Sequence, residues 1–164
     1  MSDNLIEIRD LCVAFSGQTV VRNLSLDVRP GECLALVGES GSGKSVTALS
    51  ILQLLPEAGT QTSGSVRYRG QELIGAPAAT LQKLRGDRIA MIFQEPMTAL
   101  NPLMTVGEQV GEVLRLKQGL TRAQSLVQAT ELLATTGIAE PVRRARAFPH
   151  QLSGGQRQRA MIAM

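Results

Sequence analysis

The stretch GESGSGKS, from Gly38 to Ser45, places glycines, a lysine and a serine at a spacing that suits phosphate binding. It matches the pattern G-x-x-x-x-G-K-[ST], in which glycines let the backbone curl until several N–H groups point at one phosphate group. Lys44 can then reach the β and γ phosphates, and the hydroxyl of Ser45 can ligate Mg²⁺. The stretch therefore predicts binding of a nucleoside triphosphate.

A second candidate anion site lies in LSGGQRQR, near the end of the sequence. Ser153 and Gln156 have the spacing at which two side chains cap the start of a helix. Gly154 and Gly155 have no side chains to cover the first helical amides, and bare amides at a helix N-terminus attract anions. One triphosphate does not need both sites, so we expect the second to serve a nucleotide held by another copy.

Strands and a helix are predicted around the glycine-rich loop. Segments 5–15 and 20–28 have strand composition, and the second ends at a Pro-Gly turn. Segment 33–38, CLALVG, is an unbroken apolar run, which is typical of a strand buried on both faces. Apolar residues recur at helical spacing over 46–55, where Pro56 ends the pattern. A buried strand is thus expected to lead through the loop into a helix.

The remaining elements indicate an α/β protein. Segments 64–70 and 88–96 are two further strand candidates. Helices are expected over about 105–147, because Thr105 and Thr121 each have a Glu or Gln at the spacing of a capping box. Strands are therefore expected in the first part of the chain and helices in the second.

Composition excludes several functional classes. Aromatic residues make up 2% of the chain and the net charge is +3, which argues against a nucleic-acid surface. The basic run 143–146 is expected to be a solvated helix face, and the lone His150 a packing or capping residue. Cys12 and Cys33 are expected to be buried free thiols. The acidic N-terminus does not resemble a signal peptide, and no apolar stretch approaches the roughly 20 residues of a membrane span.

Taken in order, these motifs resemble those of the ATP-binding subunits of ABC transporters, and the likeness covers the whole chain. GESGSGKS is similar to the Walker A loop, FQEP to the Q-loop and LSGGQRQR to the ABC signature. Phe15 stands ahead of Gly38 where this family has an aromatic residue that stacks on adenine. Long stretches are most similar to the dipeptide, oligopeptide and nickel import group, and within it to ATPases of microcin C-type peptide importers.

The resemblance implies a fold, two cofactors and a set of site residues. The fold would be a P-loop NTPase of the ABC ATPase type. An antiparallel β part and a parallel-sheet core would span 1–100, and an α-helical subdomain would span 101–164. Ser45 and Gln94 would meet Mg²⁺, and Gln94, the implied catalytic residue, would sense the γ-phosphate. The residues implied to contact ATP are Phe15, Gly38, Ser40, Gly41, Ser42, Gly43, Lys44, Ser45, Ser153, Gly154, Gly155 and Gln156.

The resemblance also implies partners and a location. Members of the family bury two nucleotides between two such domains, so a second nucleotide-binding domain is expected, as a homodimer or a tandem half. Gln94 would couple the nucleotide to the helical segment that touches inner-membrane permease subunits. The expected role is ATP-driven import of peptides or peptide-like compounds at the cytoplasmic face of the bacterial inner membrane, without nucleic acid.

Acidic residues needed for ATP hydrolysis are not apparent in the sequence. The family has an Asp and a Glu on an apolar strand after the signature, and the sequence ends at Met164 before such a strand. Glu95 follows an uncharged residue, so it is assigned no catalytic role. We expect a piece of a longer protein, truncated before Walker B, that binds nucleotide at most. Two alternatives stay open: a nucleotide-binding interaction module without turnover, and a soluble ABC ATPase of translation or DNA repair.

Overall fold

The computed structural model describes residues 4–93 and 100–164 of the chain. The chain divides into two compact units, Met1–Ala90 and Met91–Met164. The first unit contains the glycine-rich loop, and the second contains the LSGGQ segment. The two candidate anion sites therefore belong to different units.

A four-stranded antiparallel sheet forms the base of the first unit. Its strands are β1 (Ile6–Phe15), β2 (Gln18–Val28), β3 (Thr60–Tyr68) and β4 (Gln71–Glu72). They lie in the order β2-β1-β3-β4, so β1 is paired on both sides. The strands predicted at 5–15, 20–28 and 64–70 are confirmed, although the third begins earlier, at Thr60.

One face of β1 is buried, and a bulge at Asp10 keeps it buried. Ile6 and Ile8 are buried before the bulge, and Leu11 and Val13 after it. Asp10 has a φ of 47°, and both pairings of β1 shift register around it. A bulge inserts an extra residue into one strand, and a shift of one residue exchanges the two faces. The apolar residues therefore reach the same core although their spacing changes along the strand.

The bulge also fixes the identity of Gly64 on the neighbouring strand β3. A Cβ at Gly64 would lie 2.5 Å from the carbonyl oxygen of Asp10 and 2.6 Å from that of Arg9. Gly64 also has a φ of +96°, a backbone conformation that is unfavourable for residues with a Cβ. Only glycine fits where the two backbones approach.

Two short helices complete the first unit, α1 (Lys44–Ile51) and α2 (Ala78–Leu84). The predicted helix 46–55 begins earlier and ends earlier than expected, because Leu52 caps it and Gln53 has a φ of 51°. Both helices contribute to the apolar core of this unit: Leu81 of α2 is buried in it, and Val46 and Ile51 of α1 pack against it. The buried members of that core are Ile6, Ile8, Leu11, Val13, Val21, Val66, Leu73 and Leu81.

Two predicted strands are not formed in the described residues. Segment 33–38 is irregular and its apolar side chains are exposed, Val37 to 86%. In segment 88–96, Ile89 makes one isolated bridge to Arg85, and the described residues beyond it form no ladder. An apolar run becomes a strand only where neighbours supply hydrogen bonds and cover its faces. No described strand does so here, and the parallel-sheet core that the family resemblance implies is not formed among the described residues.

The expectation of two buried thiols was wrong. Cys33 is exposed because it belongs to the irregular segment 33–38, and Cys12 is half-buried on β1. The thiol of Cys12 donates to Oδ1 of Asn23 at 3.0 Å and accepts from its amide at 3.2 Å. Both cysteines are free, as predicted.

Helices make up the second unit. They are α3 (Val106–Gln118), α4 (Arg122–Thr135), α5 (Pro141–Ala145) and α6 (Gly154–Ala163), with a 3₁₀ turn at Pro149–Gln151. Both predicted helix starts are confirmed. Oγ1 of Thr105 accepts from the amide of Glu108 at 3.4 Å, and Oγ1 of Thr121 accepts from the amide of Gln124 at 3.3 Å.

The helices pack around their own apolar core. α3 and α5 approach closely at Gly107, where a Cβ would lie 2.8 Å from the carbonyl oxygen of Ala145. None of the helices in the described part of the chain has the length and apolar character needed to cross a bilayer. The buried members of this core are Leu100, Val106, Val110, Leu114, Ala129, Leu133, Ile138, Ala145, Leu152, Ala160 and Ala163.

Candidate functional site

Lys44, the first residue of α1, lies across the glycine-rich loop. Its Nζ donates to the carbonyl oxygens of Gly38 and Glu39, both at 2.7 Å, and to Oγ of Ser42 at 3.2 Å. An ammonium group has three donor hydrogens, so the loop supplies an acceptor for each of them. These bonds fix a positive charge beside the start of a helix.

The shape of the loop depends on glycine at two positions. Gly41 and Gly43 have φ values of +83° and +88°, in the left-handed region that favours glycine. A Cβ at Gly43 would lie 3.1 Å from both the carbonyl oxygen of Val20 and Cγ2 of Val21. Gly43 therefore allows the end of the loop to pack against β2 while the backbone turns into α1.

The start of α1 is open to an anion. Gly43 is its N-cap and provides no side-chain hydrogen bond, and the first turn contains no acidic residue. The first N–H groups of a helix have no acceptor within the helix, and its N-terminus carries partial positive charge. Together with the ammonium of Lys44, they can hold a phosphate group. Ser40 and Ser45 are exposed beside them.

Ser45 offers a hydroxyl oxygen, a ligand type that Mg²⁺ accepts. Among residues 4–93 and 100–164, no group of three or more His, Cys, Asp or Glu residues could hold a metal ion. Mg²⁺ usually keeps several waters and binds through one or two protein groups plus substrate phosphates. The described residues therefore suit Mg²⁺ only when a bound phosphate supplies further oxygen ligands.

Phe15 lies at the same end of the sheet as the loop. It is the last residue of β1, half-buried, and pairs with Gln18 across the turn to β2. The residues that contact Gly43, Val20 and Val21, follow a short distance along β2. Phe15 also packs against the apolar core of the first unit, so its ring contributes to the stability of that core. Its contact with adenine stays a prediction.

Ser153 and Gln156 form the capping box that the sequence predicts. Oγ of Ser153 accepts from the amide of Gln156 at 3.3 Å, and Oε1 of Gln156 accepts from the amide of Ser153 at 3.0 Å. Gly154 and Gly155 are exposed, and a Cβ at either would meet nothing within 4 Å. The first turn of α6 thus presents uncovered backbone to solvent.

Arg157 ties the turn before α6 to the helix. Its Nε donates to the carbonyl oxygens of Pro149 at 2.7 Å and Leu152 at 3.1 Å. Leu152 is buried in the core of the second unit. Ser153 is consequently held from both sides, by its cap and by an anchored turn.

His150 stacks on Phe148, with ring centroids 5.8 Å apart and an angle of 9° between the planes. This contact confirms a packing role for His150. The imidazole and the benzyl ring lie at the surface of the 3₁₀ turn, since both residues are exposed.

The first unit thus holds Phe15 and the loop 38–45, and the second unit holds the segment 153–156. The predicted roles of Gln94 and Glu95 concern residues outside the described ranges, and they stay predictions. The implied nucleotide contacts of the other site residues also stay predictions.

One carboxylate with a shifted pKa lies apart from these groups, and its contacts were not predicted from the sequence. Glu72, at the end of β4, accepts from Oγ of Ser65 and from the amides of Val66 at 3.0 Å and Ile74 at 3.1 Å. Burial opposes its ionisation, but these hydrogen bonds outweigh burial and hold the pKa of Glu72 below its ordinary value. Glu72 therefore joins β3 to the segment that follows β4, away from the glycine-rich loop.

Comparison with known proteins identifies the family. The family profile described as ABC transporter matches residues 21–164. The chain belongs to the ABC transporter family. This result confirms the resemblance carried by the loop, the FQEP segment and LSGGQ.

Two relatives show where the chain lies within the ABC transporter family. It is 53% identical, over 98% of its length, to the peptidoglycan transport ATP-binding protein YejF of Agrobacterium fabrum. It is 44% identical, over 99% of its length, to the oligopeptide transport ATP-binding protein OppD of Escherichia coli. The chain spans 30% of the length of the first relative and 49% of the second. The predicted likeness to ATP-binding proteins of the oligopeptide group is confirmed.

A solved structure confirms the fold. The chain is similar to the ATP-binding cassette MJ0796, a dimer in a post-hydrolysis state bound to ADP and Pi, with a TM-score of 0.81 and 29% identity. The match covers 96% of this chain and 67% of that one. The predicted P-loop NTPase fold of the ABC ATPase type is therefore correct.

Proposed function

We propose that this ABC chain is the nucleotide-binding part of an importer that couples ATP binding and hydrolysis to uptake of peptides or peptide-like compounds. The position of Lys44 gives this function its main structural support. Its ammonium is bound by the carbonyl oxygens of Gly38 and Glu39 and lies at the start of α1. Residues 1–100 would form the nucleotide-binding part, and 101–164 the helical subdomain.

The contacts of Lys44 suggest how a triphosphate is received. The two carbonyl bonds are 2.7 Å long, whereas the bond to Oγ of Ser42 is 3.2 Å. A phosphate oxygen would replace the longer bond, because a charged acceptor binds an ammonium more strongly than a neutral hydroxyl. The carbonyl oxygens would keep the ammonium aimed at the β and γ phosphates. The loop would then bind phosphate without a large rearrangement of the lysine.

The other groups of the first unit would orient the nucleotide. The hydroxyl of Ser45, with Gln94 and the phosphate oxygens, would hold Mg²⁺, which neutralises charge on the phosphates. Phe15 would stack on adenine from the neighbouring end of the sheet. Amides around Gly41 and Gly43 would surround the phosphates. In this arrangement the described residues bind the substrate and balance its charge, and none of them is assigned as a base.

The LSGGQ segment would serve the nucleotide of a second nucleotide-binding domain. The Ser153 hydroxyl and the amides of Gly154 and Gly155 are accessible at the start of α6. The related cassette MJ0796 is a dimer bound to ADP and Pi. We infer that this chain likewise closes against a second copy or a tandem half, and that its signature segment contacts the partner's γ-phosphate.

An apolar groove on the second unit would contact the permease. The groove has a volume of about 520 Å³ and lies among α3, α4 and α5. Val127 and Val142 are 63% and 62% exposed there, and the lining also includes two residues of opposite charge, Glu131 and Arg146. We infer that a short amphipathic helix of a membrane subunit would bind in this groove, with its apolar face on the valines. Such contact would place the chain at the cytoplasmic face of the inner membrane as a peripheral subunit.

The peptide class of the cargo rests on the relatives. OppD is named for oligopeptide transport and YejF of Agrobacterium fabrum for peptidoglycan transport. Oligopeptides consist of amino acids, and peptidoglycan contains short peptides. We therefore propose peptides or peptide-like compounds as the transported class.

The test uses the full-length gene product, assembled with its permease subunits in liposomes. The assembled complex should hydrolyse ATP and take up short peptides, and Lys44→Ala should lose both activities. Lys83→Ala, which removes an exposed lysine of α2, should retain both. ATP binding without any turnover would favour the interaction module instead. Turnover that is independent of the permease and of peptide would favour a soluble ABC ATPase.

A further inference from the structure

Arg85 contacts the carbonyl end of α1 from a distant part of the first unit. Its Nε donates to the carbonyl oxygen of Leu52 at 2.9 Å, and its Nη2 donates to that of Gln53 at 2.6 Å. Leu52 is the C-cap of α1. The planar guanidinium therefore spans two successive carbonyl groups where the helix ends.

These carbonyl groups have a specific need for a cation. The carbonyl group of Leu52 is among the last of the helix, which have no donor within the helix and carry partial negative charge. Gln53 has a φ of 51°, a left-handed conformation that is costly for a residue with a side chain. A guanidinium matches two such oxygens better than an ammonium does, because its N–H groups are held in one plane. Arg85 thus stabilises both the end of α1 and the turn after it.

Arg85 is itself held by its backbone. It is the C-cap of α2, and its amide donates to the carbonyl oxygen of Leu81 at 2.9 Å. It also forms a bridge with Ile89, and the amide of Gly86 donates to the carbonyl oxygen of Ile89 at 2.9 Å. Leu81 is buried in the core. The guanidinium therefore projects from a fixed point and can restrain α1.

Apart from Lys44, which is bound to the loop at the start of α1, the described side chains of this helix form hydrogen bonds only within the helix itself. The two buried residues of α1 are Thr47 and Ser50, and their hydroxyls donate to the carbonyl oxygens of Gly43 and Val46 within the same turn of chain. α1 is about 12 Å long at the usual rise per residue. A displacement of its C-terminal end would consequently be transmitted to Lys44 at its first position.

We propose that Arg85 is a positioning residue of the phosphate site: by clamping the carbonyl oxygens of Leu52 and Gln53, it sets the orientation of the helix that carries Lys44 and Ser45. This inference rests on the proposed function, since it assumes that the loop binds nucleotide. Arg85 does not contact the nucleotide itself. It acts through α1.

The test compares Arg85→Met, Arg85→Lys and Arg88→Ala in the chain. Arg88 is an exposed arginine, 66% accessible, whose ion pair is with the adjacent Asp87, so its loss is a matched control. Arg85→Met should weaken MgATP binding about 10-fold, and Arg85→Lys should restore part of the affinity because an ammonium can still donate to one carbonyl oxygen. Arg88→Ala should bind MgATP as the unmodified chain does.

A second measurement separates positioning from general loss of structure. Hydrogen exchange of the α1 amides should accelerate in Arg85→Met, whereas the amides of β1, which is paired on both sides, should exchange at their original rates. If Arg85→Met and the unmodified chain bind MgATP with equal affinity, the inference about Arg85 is wrong, while the proposed function is unaffected. Faster exchange in β1 together with α1 would also overturn it, since the effect would then be unfolding. If the unmodified chain binds no MgATP, the proposed function is contradicted. The role of Arg85 then fails as well, because it depends on nucleotide binding by the loop.

Discussion

Ser153 and Gln156 cap each other across the first turn of α6. Ser153 Oγ accepts from the amide of Gln156, and Gln156 Oε1 accepts from the amide of Ser153. A hydroxyl that accepts one hydrogen bond still has its own proton to donate. Ser153 can therefore hold the helix start and bind an anion at the same time, while the carboxamide oxygen of Gln156 is used in the cap.

Substitution of Ser153 should separate these two roles. Ser153→Ala should destabilise the second unit by about 1 kcal/mol, because the N-cap hydrogen bond is lost. Ser153→Asp should keep the cap and the helix stability, but its negative charge should repel a phosphate. Thermal unfolding followed by far-ultraviolet circular dichroism measures the first effect. The ATPase rate of the full-length gene product measures the second, and a normal rate in Ser153→Asp would contradict an anion-binding role for this residue.

The bulge in β1 predicts an intolerant glycine in β3. Gly64→Ala should destabilise the first unit by about 3 kcal/mol, because its Cβ would lie 2.5 Å from the carbonyl oxygen of Asp10. Gly70→Ala is the matched control, since Gly70 also has a positive φ, +80°, but has open space around it. It should cost about 1 kcal/mol, from backbone strain alone. Fluorescence of Tyr68, the one tyrosine in a chain without tryptophan, reports unfolding of this unit. Equal costs for the two variants would refute the close approach.

Glu72 should make the first unit sensitive to acid. Its folded-state pKa is lower than the ordinary value of 4.5, owing to hydrogen bonds that outweigh the effect of burial. A lowered pKa means that the unfolded chain takes up the proton first, so the stabilisation is complete above about pH 4.5 and is lost as the pH falls through the folded-state pKa. Glu72→Gln should be less stable than the parent at pH 7, and the difference should shrink below pH 4.5.

Urea unfolding followed by Tyr68 fluorescence across this pH range provides the measurement for Glu72→Gln. Glu57→Gln, a substitution of the same type at an exposed position of the same unit, is the matched control. A stability difference for Glu72→Gln that stays constant down to pH 3 would contradict the assigned hydrogen bonds.

Local patterns predicted the antiparallel strands and the capped helices well. Alternation in β1 and β2 and the side chains of Thr105, Thr121 and Ser153 act over a few residues, so one sequence is enough to identify them. The glycine-rich loop could also be predicted from the sequence, because its phosphate-binding groups come from consecutive residues.

Long-range relationships were not predictable in the same way. Segment 33–38 has the composition of a buried strand, but no described strand pairs with it, and composition cannot supply a neighbour. Arg85 stands in no motif, and its partners Leu52 and Gln53 lie far away along the chain. The bulge at Asp10 likewise becomes evident only when β1 is paired with both neighbours. These features depend on which segments meet, and a single sequence does not specify that.

Binding of MgATP to the chain is the most direct test that the loop 38–45 forms a phosphate site. The dissociation constant should be measured by isothermal titration calorimetry for the unmodified chain, Lys44→Ala and Lys83→Ala. Lys44→Ala should weaken binding more than about 10-fold, since a charged hydrogen bond to phosphate is lost, and Lys83→Ala should leave it unchanged. An affinity for MgATP that is the same with and without the Lys44 ammonium would contradict the assignment of this loop as the phosphate site.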